Sequence, residues 1–167
     1  MPQISTHLNL ALKLMDKTVI TDSDSFLLGC AYPDQWNDSF ENSLALHYKS
    51  SPSADCNLDK FLEHNRINDD FDLGYYFHLW VDNEILKYDV GNISKSDCLI
   101  CDMEVILFTV QRLLQNEYSG KKLQAVNNIL TLKSTPLPAY IVDEEKRSCY
   151  NNILEQLATG FMKEIKQ

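Results

Sequence analysis

The chain reads as an all-α protein, and three observations predict it. Apolar residues recur at spacings of three and four over long stretches, as on one face of a helix. No run of useful length alternates apolar and polar residues as a strand does. Only 5 Gly and 5 Pro occur in 167 residues, which suits long regular elements better than many tight turns. A chain of this length supports one compact domain with a real core, so residues 1–167 are expected to form a single multi-helix bundle.

The elements follow in order. Ser5 or Thr6 is expected to cap a first helix whose His7, Leu10, Ala11 and Leu14 share a face. Asp22 or Ser23 caps a short second helix with Phe26, Leu27 and Leu28, expected to stop near Gly29. Ala31 to Trp36 then leaves the helix as an extended loop, because the residue before Pro33 is pushed out of helical geometry. Residues 37–54 are polar and read as a long surface loop. A helix over 55–64 points Leu58, Phe61 and Leu62 inward. The next helix covers 69–88, with Asp69, Asp70 and Asp72 complementing its N-terminal dipole. Residues 102–118 and 121–132 give two more helices. Pro136 and Pro138 break the pattern. A last amphipathic helix covers 143–165, with Tyr150, Ile153, Leu154, Leu157, Phe161 and Ile165 on one face.

Charge and cysteine content narrow the function. The net charge is -9, and the longest basic cluster is Lys121-Lys122. Binding a nucleic-acid polymer needs several clustered cations, so no such partner is expected. No apolar run approaches the ~20 residues of a membrane span. The start, Met1 to His7, lacks the basic and apolar stretches of a signal peptide, which places the protein in the cytoplasm. Five cysteines are an odd number, and free thiols are the default in that compartment. Cys98 and Cys101 form a CxxC without a second pair and without a βαβ context, so buried small residues are its simpler reading.

The chemistry concentrates in Leu73-Gly74-Tyr75-Tyr76-Phe77-His78-Leu79-Trp80-Val81-Asp82. On a helix, Phe71, Gly74, Tyr75, His78, Asp82 and Ile85 make one stripe, most of it facing the core. An aspartate there needs a partner, because burying an unpaired carboxylate costs several kcal/mol or more. A metal ion is one such partner; His78 itself or a basic residue is another. Imidazole and carboxylate together suit zinc and other divalent transition ions. Three more residues have suggestive settings. His7 lies on the apolar face of the first helix, Asp34 follows a proline in a rigid loop, and His47 follows the apolar Leu44-Ala45-Leu46. His64 ends a helix amid polar residues, where it serves the helix C-terminus.

Thr6-His7, Leu27-Leu28-Gly29-Cys30-Ala31-Tyr32-Pro33-Asp34, His47 and the Leu73–Asp82 segment, in this order, resemble the zinc-dependent phospholipase C family. That family is all-helical and shares its fold with fungal single-strand nucleases. The resemblance covers about residues 5–88. Its most specific parts are the Gly-x-x-x-Pro-Asp turn and the Gly-Tyr-x-x-His-x-x-x-Asp helix. It implies that Asp34, His47, His78 and Asp82 ligate a first metal. It implies that His7, with Asp82 bridging, belongs to a second. Asp34 would double as the catalytic base that orients the attacking water.

The chain also departs from the pattern. The family supplies two further histidines and a glutamate after the His-x-x-x-Asp helix, yet no histidine follows His78 here. Glu84, Asp89 and Glu104 are the carboxylates left to substitute. The family's mature N-terminal amine ligand arises by signal removal, for which this sequence gives no sign. One zinc or similar divalent ion is therefore expected, and at most two. The implied function is hydrolysis of a small or lipid-derived phosphoester by a metal-activated water. The alternatives are a catalytically silent relative with a structural metal site, and a helical protein-interaction module. A phosphohydrolase of the His-Asp type would need an adjacent His-Asp pair, which the sequence lacks. Trp36, Trp80, Tyr75 and Tyr76 lie near the ligands in sequence and either line a pocket or fill the core.

Overall fold

Short polar side chains start most of the helices. Asp22, Ser39, Asn57, Asp69, Ser94 and Asp143 each accept a hydrogen bond from the backbone N–H three residues on. Each such cap satisfies a donor that the helix leaves orphaned and is worth about 1 kcal/mol. The computed structural model describes residues 3–34, 39–89 and 91–166. In order, the helices are α1 (Ile4–Met15), α2 (Ser23–Ala31), α3 (Phe40–Leu46), α4 (Leu58–His64), α5 (Asp70–Glu84), α6 (Lys95–Leu113), α7 (Gly120–Ser134) and α8 (Glu144–Glu164). A single 3-10 turn, Ile85–Lys87, prolongs α5. No strand occurs among the described residues, and the all-α class holds. No helix among them is long and apolar enough to cross a membrane.

The centre of the fold is α5. Every residue from Gly74 to Asp82 is buried, so this helix is enclosed on all sides. Its most extensive partner is α2. The two helices touch backbone to backbone through a reciprocal pair of glycines. A Cβ on Gly29 would lie 2.1 Å from the Phe71 carbonyl oxygen, and a Cβ on Gly74 would lie 2.1 Å from the Phe26 carbonyl oxygen. Only hydrogen fits at either position. Phe26, Phe77 and Phe161 fill the space beyond, with Trp80 packed edge-on against Phe161 of α8.

A buried carboxylate ties α1 to the opposite side of the bundle. Asp102 of α6 accepts from Ser5 Oγ at 3.1 Å, Thr6 Oγ1 at 2.9 Å, Asn9 Nδ2 at 2.9 Å and the Tyr150 hydroxyl of α8 at 3.0 Å. Ser5 and Thr6 are therefore not caps. The helix begins at Ile4 after Gln3, whose side chain makes no capping bond. A hydroxyl committed to a buried charge is unavailable to its own backbone.

Other elements depart from the sequence reading for similarly local reasons. α2 continues past Gly29 to Ala31, because that glycine serves the contact with α5 rather than a helix end. Residues 37–54 are not one long loop: Ser39 caps α3 within them. The fourth helix starts at Leu58, behind the Asn57 cap, and Leu62 is exposed. α6 starts seven residues earlier than expected and ends at Leu113, because Ser94 and Asp97 form a reciprocal capping box. The CxxC thus falls in the first turns of α6, with Cys101 buried and Cys98 half-buried. Val105 and Phe108 of α6 face outward, while Ile106 and Leu113 are buried. Ile165, expected inside, is exposed just beyond α8.

Two outcomes follow from this packing. Gly74→Ala should force α5 off α2 and cost about 3 kcal/mol or more in chemical denaturation, because backbone rather than a movable side chain stands in the way. Asp102 gives a pH-dependent effect. Burial pushes its carboxyl from the ordinary 3.8 up to about 6, against the four donors that favour its charge. The native state then holds this proton more tightly than the unfolded chain does. Its contribution is fully present below about pH 4 and is lost as pH rises through about 6. Relative to Asp102→Asn, the wild type should lose about 3 kcal/mol between those limits.

Candidate metal centre

Two helices and two helix ends deliver the five singled-out residues to one place. His7 comes from α1, and His78 and Asp82 come one turn apart on α5. Asp34 follows the Tyr32-Pro33 bend after α2, and His47 is the residue on which α3 ends. His7, His47, His78 and Asp82 are buried, whereas the Asp34 side chain is 13% exposed and is the most accessible of the set.

Four acceptor atoms converge around His78. His78 Nε2 lies 3.1 Å from His47 Nε2, 3.9 Å from Asp34 Oδ1 and 4.0 Å from Asp82 Oδ2. His47 Nε2 lies 3.5 Å from Asp34 Oδ1 and 3.7 Å from Asp82 Oδ2. The 3.1 Å and 3.5 Å separations lie near the edge of about 3.3 Å expected for a tetrahedron of nitrogen and oxygen ligands with bonds of about 2.0–2.1 Å, and the other three are longer.

The outer ring nitrogens decide what faces inward. His47 Nδ1 sits 2.8 Å from the Ser43 carbonyl oxygen, and His78 Nδ1 sits 2.7 Å from the Cys30 carbonyl oxygen. A carbonyl only accepts, so both Nδ1 atoms carry hydrogen. In the neutral rings both Nε2 atoms then present lone pairs to one another. That contact needs a proton or a cation between them. The same backbone bonds are the outer-shell arrangement that orients a ligating imidazole.

A second group adjoins the first. His7 stacks on His78 with ring centroids 3.7 Å apart, and its Nε2 lies 3.4 Å from Asp82 Oδ1. Both His7 nitrogens and Asp82 Oδ1 are buried without a hydrogen-bond partner. Leaving such atoms unsatisfied costs about 1–3 kcal/mol each. Among the described residues, two sets could hold an ion, Asp34, His47, His78 and His7, His78, Asp82, with His78 common to both.

The electrostatics agree with the geometry. Burial would raise the Asp82 carboxyl, but His7, His78 and His47 hold it below the usual carboxylate range. Asp34 is likewise held down by His78 and His47 against burial. Burial, aided by His7, pushes His78 down to about 3. His47 moves the other way: burial opposes its charge, yet Asp34 and Asp82 raise it above its ordinary value. The proton that can separate the two facing nitrogens therefore belongs to His47.

Sequence reading overlooked two neighbours. Lys49 Nζ lies 3.8 Å from Asp82 Oδ2, and Cys56 Sγ lies 3.9 Å from the same atom. Lys49 stands two residues after His47, but nothing in its spacing distinguishes it from a surface lysine. The carboxylates considered as substitute ligands are engaged elsewhere. Glu84 pairs with Lys87, Asp89 accepts from the Gly91 N–H, and Glu104 pairs with Arg147. His64 is exposed at the end of α4, its Nδ1 bonded to the Lys60 carbonyl at 2.7 Å. Trp80, Tyr75 and Tyr76 are core residues; the Tyr75 hydroxyl donates to the Leu46 carbonyl at 2.5 Å. Trp36 lies outside the described residues.

In comparisons with protein-family models, curated proteins and solved structures, nothing matches this chain. The functional reading therefore rests on the residues of the centre. Nitrogen-15 NMR of metal-stripped protein should show His78 as a neutral Nδ1–H ring down to pH 5, with His47 titrating above pH 6.5. A charged His78 at pH 6 would overturn the arrangement.

Proposed function

We propose that the protein is a metal-dependent hydrolase of small or lipid-derived phosphoesters, of the phospholipase C type, acting in the cytoplasm. The observation that carries this reading is the pair of Nε2 atoms 3.1 Å apart, each ring held by a backbone carbonyl and within 4.0 Å of two carboxylates. Such a set is costly for a protein to bury unless a cation belongs to it. Asp34, His47, His78 and Asp82 are the residues to hold a zinc or similar divalent ion, and His7 and Asp82 Oδ1, 3.4 Å apart and both without hydrogen-bond partners, are the groups to hold a second. A bound divalent ion supplies Lewis-acid stabilisation of phosphoryl charge and a water acidic enough to ionise near neutral pH.

The chain's own groups have separate tasks. The Cys30 and Ser43 carbonyls hold the two imidazoles in register, so only their Nε2 atoms face inward. Asp34, the least buried carboxylate, is the group that can both ligate and take a proton from an incoming water at its free oxygen. Asp82 anchors the centre from the core. The enclosed walls of α5 keep bulk water away from its inner side.

The carboxylates already committed to Lys87, Gly91 and Arg147 favour a second reading. Without further ligands, the four residues would close a structural site with no open position. The test is elemental analysis of protein purified without an affinity metal column, followed by turnover of generic phosphomonoesters and phosphodiesters. One or two equivalents of zinc, lost in His78→Ala, and turnover well above that variant are expected. Metal without turnover, with a large fall in melting temperature on chelation, would assign a structural role. Absence of metal after reconstitution would leave a helical interaction module.

A further inference from the structure

α3 ends in a tight hydrogen-bonded turn. The Tyr48 N–H donates to the Ala45 carbonyl at 3.1 Å, and the Lys49 N–H donates to the Leu44 carbonyl at 3.0 Å. With Tyr48 at φ +53°, this pair of bonds is the Schellman arrangement, whose left-handed position glycine usually fills. Tyr48 holds the position through its side chain: the ring packs edge-on against Phe61, and the hydroxyl accepts from Asn65 Nδ2 at 2.5 Å. The backbone on either side is thereby fixed. His47 and Lys49 both reach one carboxylate oxygen, Asp82 Oδ2, at 3.7 Å and 3.8 Å.

Lys49 is ion-paired with Asp82 in this position, and its side chain is only 5% exposed. A buried ammonium there does part of what a metal would do: it offsets the charge of a buried carboxylate. The two cations cannot share the oxygen without cost. A divalent ion on Oδ2 would stand a few ångströms from a like charge, in surroundings of low dielectric where repulsion is strong. Lys49 has another berth. It also lines a solvent-facing pocket of 390 Å³, and the exposed Asp55 carboxylate lines the same pocket. The turn fixes the Lys49 backbone, while its four-carbon stem is flexible.

We propose that Lys49 is a built-in counter-ion of Asp82, that it competes with the metal for Oδ2, and that a bound divalent ion displaces its ammonium into the pocket that Asp55 lines. The inference rests on the metal-dependent reading and adds a control on occupancy to that site. Lys49 keeps the buried carboxylate compensated before an ion binds, so the fold does not wait for metal. It also sets a threshold: an ion enters only where its bonds to the imidazoles and carboxylates outweigh the ion pair that it breaks. Transition ions that favour imidazole meet that condition better than magnesium or calcium, which favour oxygen ligands.

The test uses zinc as the probe on the full chain at pH 7.5. Affinity is measured by competition with a chromophoric chelator. Removing the competing charge in Lys49→Met should tighten zinc binding about tenfold or more, whereas Lys49→Arg, which keeps the charge, should bind as the wild type does. In the wild type, acetylation of each lysine by an amine-reactive reagent is followed by mass spectrometry with and without zinc. Zinc should raise the labelling of Lys49 several-fold relative to the exposed Lys133. This second measurement needs no variant, so it decides the matter if Lys49→Met does not fold. Three results would each overturn the competition and leave the metal reading standing: zinc bound by the wild type with Lys49 labelling unchanged, Lys49→Met binding zinc no more tightly than the wild type, or Lys49→Arg binding it as tightly as Lys49→Met. Zinc uptake by Lys49→Met alone would support the competition in its strongest form. Uptake by neither protein would overturn both readings.

Discussion

The close approach of α2 and α5 at Gly29 and Gly74 is the constraint on which the rest of the molecule depends. It brings two helix backbones into contact, so neither helix can slide or rotate without a clash between main-chain atoms. This contact carries the Cys30 carbonyl to within 2.7 Å of His78 Nδ1. The His78 ring is thereby fixed in tautomer and direction by the residue that follows Gly29. Asp34 leaves the end of the same helix after the Pro33 bend, and Asp82 lies one turn beyond His78 on the facing helix. Three of the four inward-facing groups thus inherit their positions from a steric fit between two glycines. The geometry of the centre is a property of the core, and it does not require the ligands to find one another.

That dependence explains what could be read from the residues. The His78–Asp82 spacing and the apolar stripe around it are local, so α5 and its inward face were legible in the sequence, as was the all-helical class. Gly29 was misread as a helix stop, because a glycine for close packing and one for a helix end look alike without the partner strand of backbone. Ser5 and Thr6 were misread as caps for the same reason: their partner, Asp102, lies almost a hundred residues away. α3 was missed because seven half-exposed residues give no apolar period, and only the Ser39 cap marks their start. Lys49 was invisible because its approach to Asp82 follows a left-handed turn at Tyr48 that the sequence does not announce.

Two buried carboxylates, both touched by α1, are satisfied in opposite ways. Asp102 meets the Ser5, Thr6 and Asn9 face of α1, and Asp82 meets His7 from the same helix. Asp102 is surrounded by neutral donors, its carboxyl is pushed up, and hydroxyl and amide hydrogens already occupy both oxygens. A carboxylate offers about four lone-pair sites, and four donors fill them. Asp82 is the reverse case. Imidazoles hold it ionised, Oδ1 has no hydrogen-bond partner, and Oδ2 faces His47, His78 and Lys49 at distances too long for good hydrogen bonds. A fold that saturates one buried carboxylate with hydrogen bonds has the means to saturate the other. Asp82 is instead met by imidazoles, by the Lys49 ammonium and by the weak Cys56 S–H donor, with Oδ1 left unbonded, and this difference from Asp102 is the physical support for reading the site as one able to take a cation.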